Sequence, residues 1–154
     1  MTARHSAGLL LFRHTDDGLE VLLGHMGGPY FAKKDAGAWT VPKGEYDPDE
    51  PAWDAARREF REELGLPPPD GEAVPLGRVR QTGGKIVTVW AVEADLDPAA
   101  VVPGTFVMQW PPRSGRTVEF PELDRVAWLG LARAREVIVT AQSAFLDRLA
   151  EHSA

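Results

Sequence analysis

A mixed α/β fold in one domain is predicted by three features of the chain. Strand-like and helix-like apolar segments alternate without internal repeats or low-complexity tracts. The 154 residues, 44% of them hydrophobic, suffice for one real core and make a second domain unnecessary. The acidic stretch GEYDPDEPAWDAARREFREELGL, Gly44 to Leu66, divides into distinct faces at the helical period.

Taken in order, Ser6 to Arg13 (SAGLLLFR) and Leu19 to Met26 (LEVLLGHM) are apolar strands, and the Asp-Gly of the intervening HTDDG predicts a hairpin turn. Gly27 to Gly37 reads as a loop, AWTV as a short strand and PKG as a turn. The acidic helix follows, with Asp49 as N-cap, Pro51 in its first turn and Gly65 as a left-handed cap, after which Pro67 to Pro69 block continuation. Lys85 to Leu96 carries β-branched residues in series and predicts a strand. Pro103 to Pro121 reads as a loop, DRVAWLGL as a last strand, and Ala132 to Glu151 as helix in one piece or two.

Composition narrows the function. No apolar run approaches the 18 or more residues of a membrane span, and no secretory signal pattern opens the chain, so the expected location is cytoplasmic. With no cysteine there are no disulfides, thiolate metal sites or cysteine nucleophiles. The four histidines are too scattered to suggest a zinc pair. A formal charge of −6 argues against long nucleic acid as a partner. That acidity is local: Glu45 to Glu72 holds ten acidic and three basic residues.

On a wheel at about 100° per residue with Glu59 at zero, Trp53, Ala56, Phe60 and Leu64 form an apolar stripe. Asp54, Arg57, Arg58 and Arg61 form a mixed-sign face suited to water. Glu59, Glu62 and Glu63 fall at the edge of the apolar stripe. Like charges at these spacings cost roughly 0.2–0.5 kcal/mol per pair, and partial burial raises the penalty. Something positive should therefore sit there. Clustered carboxylate oxygens without imidazole or thiolate suit a hard cation such as magnesium, manganese or calcium. The competing explanation is a solvated acidic face held by arginines such as Arg58, but the solvated face lies elsewhere on the wheel.

The spacing Gly44, five residues, Glu50, seven residues, Arg58-Glu59-Phe60, one residue, Glu62-Glu63, one residue, Gly65-Leu66 resembles the Nudix box in every defined position. The flanking AGLLLFR, WTVPKG and ELDRVAWLGL segments are also similar to that family, in particular to small bacterial members described as predicted NTP pyrophosphohydrolases. The resemblance implies a three-layer α/β/α sandwich with a mixed curved sheet. It implies hydrolysis of a nucleoside diphosphate linked to another group, with Mg2+ or Mn2+ and water attacking phosphorus. By similarity, Glu62 and Glu63 bind metal, Glu59 is a ligand or the general base, and the Lys43 to Gly44 turn supplies a carbonyl ligand. Glu50 and Arg58 resemble the family's orienting pair. Of the carboxylates after the box, Glu122 is the first candidate for an additional catalytic ligand, with Glu119 and Glu93 as alternatives.

Lys43, Lys33, Lys34 and His25 are candidate phosphate binders, each with a surface or structural role as the alternative. Tyr30, Phe31, Trp90 and Trp110 are candidate stacking platforms for a base, although most aromatics in such a chain are core. WTVPKG resembles the approach to the box in dinucleoside polyphosphate hydrolases, which favours a small nucleotide with a long phosphate chain as partner. The tyrosine those enzymes often carry after the box is missing, because Gln81 to Gly83 occupies its place. The Pro103 to Pro121 segment, with basic Arg113 and Arg116, borders either substrate or the second subunit of a homodimer, and the sequence leaves both open. A non-catalytic nucleotide-binding module on the same fold is the second function class, but it has no physical need for three like-charged glutamates.

Overall fold

The computed structural model describes residues 4–153. Its centre is a mixed sheet. Strand β1 (His5–Thr15) pairs antiparallel with β2 (Gly18–Met26), and the register Thr15↔Gly18 closes that hairpin on Asp16 and Asp17. The short β3 (Trp39–Thr40) extends β2 on one side, and β4 (Lys43–Glu45) pairs with the beginning of β1. Helix α1 (Ala52–Leu64) follows. Strands β5 (Ala73–Arg80) and β6 (Ile86–Glu93) form an antiparallel pair, and β6 runs parallel to β1, which makes the sheet mixed. A separate hairpin, β7 (Thr105–Gln109) with β8 (Thr117–Pro121), stands off the main sheet. Strand β9 (Leu123–Gly130) returns to pair with β2, and α2 (Leu131–Val137) and α3 (Ser143–Ser153) close the chain.

Alternation along β1 explains the layers. Ala7, Leu9 and Leu11 point to one face and pack with Ala55, Ala56, Phe60 and Leu64 of α1. Leu10 and Phe12 point to the other and pack with Val137, Phe145, Leu146 and Leu149 of α2 and α3. A strand buried on both faces reads as the continuous run AGLLLF, as β1 does. The result is the expected α/β/α sandwich, with the apolar stripe of α1 facing the sheet.

Three local expectations are corrected and one strand is added. PKG does not form a free turn: Lys43 and Gly44 pair with Gly8 and Ala7, so the approach to α1 is pinned to the sheet. Asp49 does not cap α1; Pro51 occupies the N-cap position without a side-chain bond, so the helix begins one residue after it. Strand β5 was hidden in the sequence by Pro75 and Gly77, which the structure accommodates at a register shift between Pro75 and Arg78. The stretch from Pro103 to Pro121 is no loop. It is a hairpin whose strands are short and whose turn holds Pro111, Pro112 and Gly115, residues that masked the pairing in sequence. The helical region from Ala132 to Glu151 falls into two helices with a break after Val137, where the backbone of Ile138 turns extended.

Candidate active site

Three segments converge beside the box helix. Strand β4 brings Lys43 and Gly44 next to α1, because Gly44 pairs with Ala7, itself packed in the α1-facing layer. The C-terminal end of α1 is tied to the segment before β7: Val102 N–H donates to the Leu64 carbonyl and Gly104 N–H to that of Glu63. The base of the β7–β8 hairpin then delivers Glu122, whose N–H donates to the Gly104 carbonyl and whose own carbonyl accepts from Gly27. The cleft between them has a volume of about 430 Å³. Its lining includes the carboxylates of Glu45, Glu59, Glu62, Glu63 and Glu122 together with the ammonium groups of Lys43 and Lys85.

Close approach explains Gly44. A Cβ built there would fall 1.9 Å from a carboxylate oxygen of Glu59, so any larger residue would displace that carboxylate from its present position. Glu59 is correspondingly buried at 8% exposure, Glu63 is half-buried and Glu62 is exposed. Arg58 orders the near side of the cluster. Its Nε and one terminal nitrogen donate to the two oxygens of Glu50 at 2.9 and 2.8 Å, a bidentate fork. The other terminal nitrogen donates to Glu59 at 2.9 Å and to Glu62 at 3.2 Å. The guanidinium is held charged, its pKa raised first by the bond to Glu50.

The remaining carboxylates are short of positive charge. Burial pushes Glu63 up to about 8, with Glu122 and Glu59 adding to the rise. Burial also raises Glu59, against the lowering effect of Arg58, and raises Glu122, against that of Lys43. Burial pulls the Lys43 ammonium below the usual lysine range, and nearby Lys85 pulls it further. Among the described residues no three acidic or histidine side chains close into a ready cage, and Arg58 holds two of the carboxylates. The donor set nonetheless fits a hard divalent cation. It offers only oxygens, and the shifted Glu63 marks a place where added positive charge would be stabilising.

Several expected site residues lie elsewhere. His25 is fully buried: one ring nitrogen meets the Asp124 carboxylate at 2.9 Å and the other the Lys34 carbonyl at 2.6 Å, which leaves nothing for a phosphate. Lys33 and Lys34 are exposed on the loop after β2 and do not line the cleft. Glu119 sits mid-strand on β8 opposite Val107, and Glu93 ends β6 near His14, so neither competes with Glu122. Trp90 packs edge-on against Trp53 in the α1-facing layer, and Phe31 packs on the other core. Tyr30 and Trp110 do meet, ring centres 5.4 Å apart, between the loop after β2 and the hairpin.

Sequence reasoning missed Ser6, Lys85 and Thr105, which also line the cleft. The only available signal for Lys85 was its place directly after the Thr82-Gly83-Gly84 turn, where Gly83 and Gly84 both have positive φ. Nothing in the sequence marked Ser6 or Thr105.

The NUDIX domain family matches residues 3–149. Among solved structures, the chain is similar to a C. elegans Ap4A hydrolase in a binary complex, with TM-score 0.68, 23% identity and 98% of both chains covered. It is similar to the NUDIX domain of Shewanella oneidensis NrtR complexed with ADP ribose, with TM-score 0.67, 16% identity, and 100% of this chain and 90% of that one covered. It is also similar to RenU, a Nudix hydrolase from M. smegmatis, with TM-score 0.61, 26% identity, and coverage of 99% and 88%. No curated protein sequence matches it. With the motif intact on its helix and the family matched over nearly the whole length, the chain belongs to the Nudix family and is a Nudix-type hydrolase.

Proposed function

We propose that the chain, acting as a single domain, is a divalent-metal-dependent pyrophosphohydrolase that cleaves a nucleoside diphosphate linked to another group. A nucleoside triphosphate or dinucleoside polyphosphate is the favoured substrate. One observation carries the proposal: a cluster of carboxylates short of positive charge lines a single cleft together with two lysines. Attack on a phosphoanhydride is favoured by positive charge around the phosphorus, and this cleft offers oxygen ligands for a metal together with ammonium groups.

Nudix hydrolases generally use divalent metals. Bound here, Mg2+ or Mn2+ would neutralise phosphate charge, lower the pKa of a bound water and stabilise the leaving oxygen. Glu62, Glu63 and Glu122 would hold it, with the backbone carbonyl at Lys43–Gly44. Glu59 completes that donor set or accepts the proton of the attacking water, a duty that its burial and raised pKa favour. Arg58, itself clamped by Glu50, keeps the carboxylates of Glu59 and Glu62 oriented. Lys43 and Lys85 would bind phosphate oxygens. The similarity to a C. elegans Ap4A hydrolase accords with a long phosphate chain, and the Tyr30–Trp110 pair is a place where a base could stack.

The test is product profiling over NTPs, dinucleoside polyphosphates, ADP-ribose and NADH with magnesium and then manganese, on wild type, Glu62→Gln and Glu63→Gln. One substrate class should turn over well above the rest. Each variant should lose at least ~100-fold in kcat, a few kcal/mol of transition-state stabilisation, while remaining folded. Full activity in both variants would overturn the metal-site assignment. Silence of the wild type across the panel would favour a binding module.

A further inference from the structure

A second hollow adjoins the carboxylate cleft and is larger, about 1080 Å³ against 430 Å³. It opens between the start of β1, the segment that leads from β4 into α1, and the first turns of α1. Glu45 lines both hollows, so a group bound at the metal ligands has this space directly beside it. A concavity of that size is in the range of pockets that enclose a small organic ligand.

The lining selects the class of ligand. Tyr46 N–H donates to the His5 carbonyl at 3.1 Å, which continues the pairing of Ser6 with Glu45 and brings the two rings together edge to face, centres 6.3 Å apart. Both residues are half-buried, so they offer ring surface from a backbone fixed to the sheet. The next segment is held as well: Glu50 N–H donates to the Asp47 carbonyl, and the Glu50 carboxylate is gripped by Arg58. Charge decides against an anion. Glu45, Asp47 and Glu50 bring three carboxylates, while Arg58 spends its donors on Glu50, Glu59 and Glu62, which leaves Arg4 as the one guanidinium free of the box. Such a lining repels phosphate and suits a neutral planar ring that carries N–H and O–H donors. A nucleoside has that chemistry: its base stacks on an aromatic face, and its amino and ribose hydroxyl groups donate to carboxylates.

We propose that this hollow seats a nucleoside of the substrate, its base on Tyr46 and its donors on Asp47 and Glu45, while the attached phosphates lie in the carboxylate cleft. This rests on the hydrolase reading above and adds a determinant of specificity to it. A dinucleoside polyphosphate has two nucleosides to place. The Tyr30–Trp110 pair offers a surface for one, and the hollow beside Tyr46 takes the other. A nucleoside triphosphate fills only one of the two.

The direct probe is adenosine, titrated into the isotope-labelled, metal-free full chain and followed at the backbone amide signals of Tyr46 and Asp47. Saturable shifts at both are expected. Tyr46→Ala should weaken adenosine binding about tenfold, read at Asp47, as removal of one stacking ring predicts. Tyr46→Phe keeps the ring and should keep the wild-type affinity. Asp47→Ala, at an exposed loop position, serves if Tyr46→Ala folds poorly, and should weaken binding about fivefold, read at Tyr46. In steady state, Tyr46→Ala should raise KM for a dinucleoside polyphosphate while kcat changes little. Absence of shifts at Tyr46 and Asp47 up to the solubility limit of adenosine would overturn the proposal, as would shifts confined to Tyr30 and Trp110, or wild-type affinity in both Tyr46→Ala and Asp47→Ala. Adenosine binding is read without turnover, so the hydrolase reading fails separately, on silence of the wild type across the substrate panel.

Discussion

Gly44 and Glu59 are one unit, because the absent Cβ of the first is the space taken by the carboxylate of the second. Gly44→Ala should displace Glu59 while leaving the strand pairing of β4 intact. The expected outcome is a loss of turnover comparable to that of a glutamate variant, roughly 100-fold, with a shift in melting temperature of only a few degrees. Turnover measured beside a circular dichroism melt checks it. Activity retained in Gly44→Ala would mean that Glu59 has no demand on its present position. The glycine and all the glutamates of the box stood out in sequence at this scale. Lys85 and Ser6 did not, since a lysine after a turn and a serine in a strand are unremarkable until three strands bring them to one cleft.

Helix α1 ends where the site needs it to end. Gly65 adopts φ 68°, a left-handed conformation, and a Cβ there would meet the Val102 carbonyl oxygen at 2.5 Å. Gly65→Ala combines the left-handed penalty of about 1–2 kcal/mol with displacement of Val102. A destabilisation of at least ~2 kcal/mol in urea denaturation is expected. Because Val102 and Gly104 bond back to Leu64 and Glu63, the same substitution should loosen the base of the β7–β8 hairpin, which carries Glu122. An unchanged urea midpoint would show that this junction tolerates strain. The hairpin is also where sequence reasoning failed most: prolines and glycines argued for a loop, yet five residue pairs hold it together.

Across the whole molecule, the acidic cluster links stability to pH. In the folded chain burial pushes the Glu63 carboxyl up to about 8, whereas an ordinary free glutamate titrates at 4.5. The folded state therefore binds more protons within that interval, and the stability of the metal-free protein falls as pH rises through it. Glu59 and Glu122 shift in the same direction. Melting of the metal-free protein should thus occur at a lower temperature at pH 8 than at pH 5.5, and Glu63→Gln should flatten the slope. Added Mg2+ should raise the melting temperature most at the alkaline end, where the carboxylates are ionised and free to bind it. A pH-independent melt in wild type would contradict the burial of Glu63. Among the described residues no helix is long and apolar enough to cross a membrane.

The sequence by itself determined the family, the box helix with its three faces, the left-handed cap at Gly65 and the apolar hairpin strands β1 and β2. All of these are local, written in spacing and periodicity within a few turns of chain. Only the tertiary structure decided which distant groups join the helix. Glu122 comes into the cleft on a hairpin, Lys85 comes with Ser6 through the parallel pairing of β1 and β6, and His25 leaves it for the core. The reason is physical: strand alternation says which face a residue takes, but the neighbour on that face is set by register between segments dozens of residues apart.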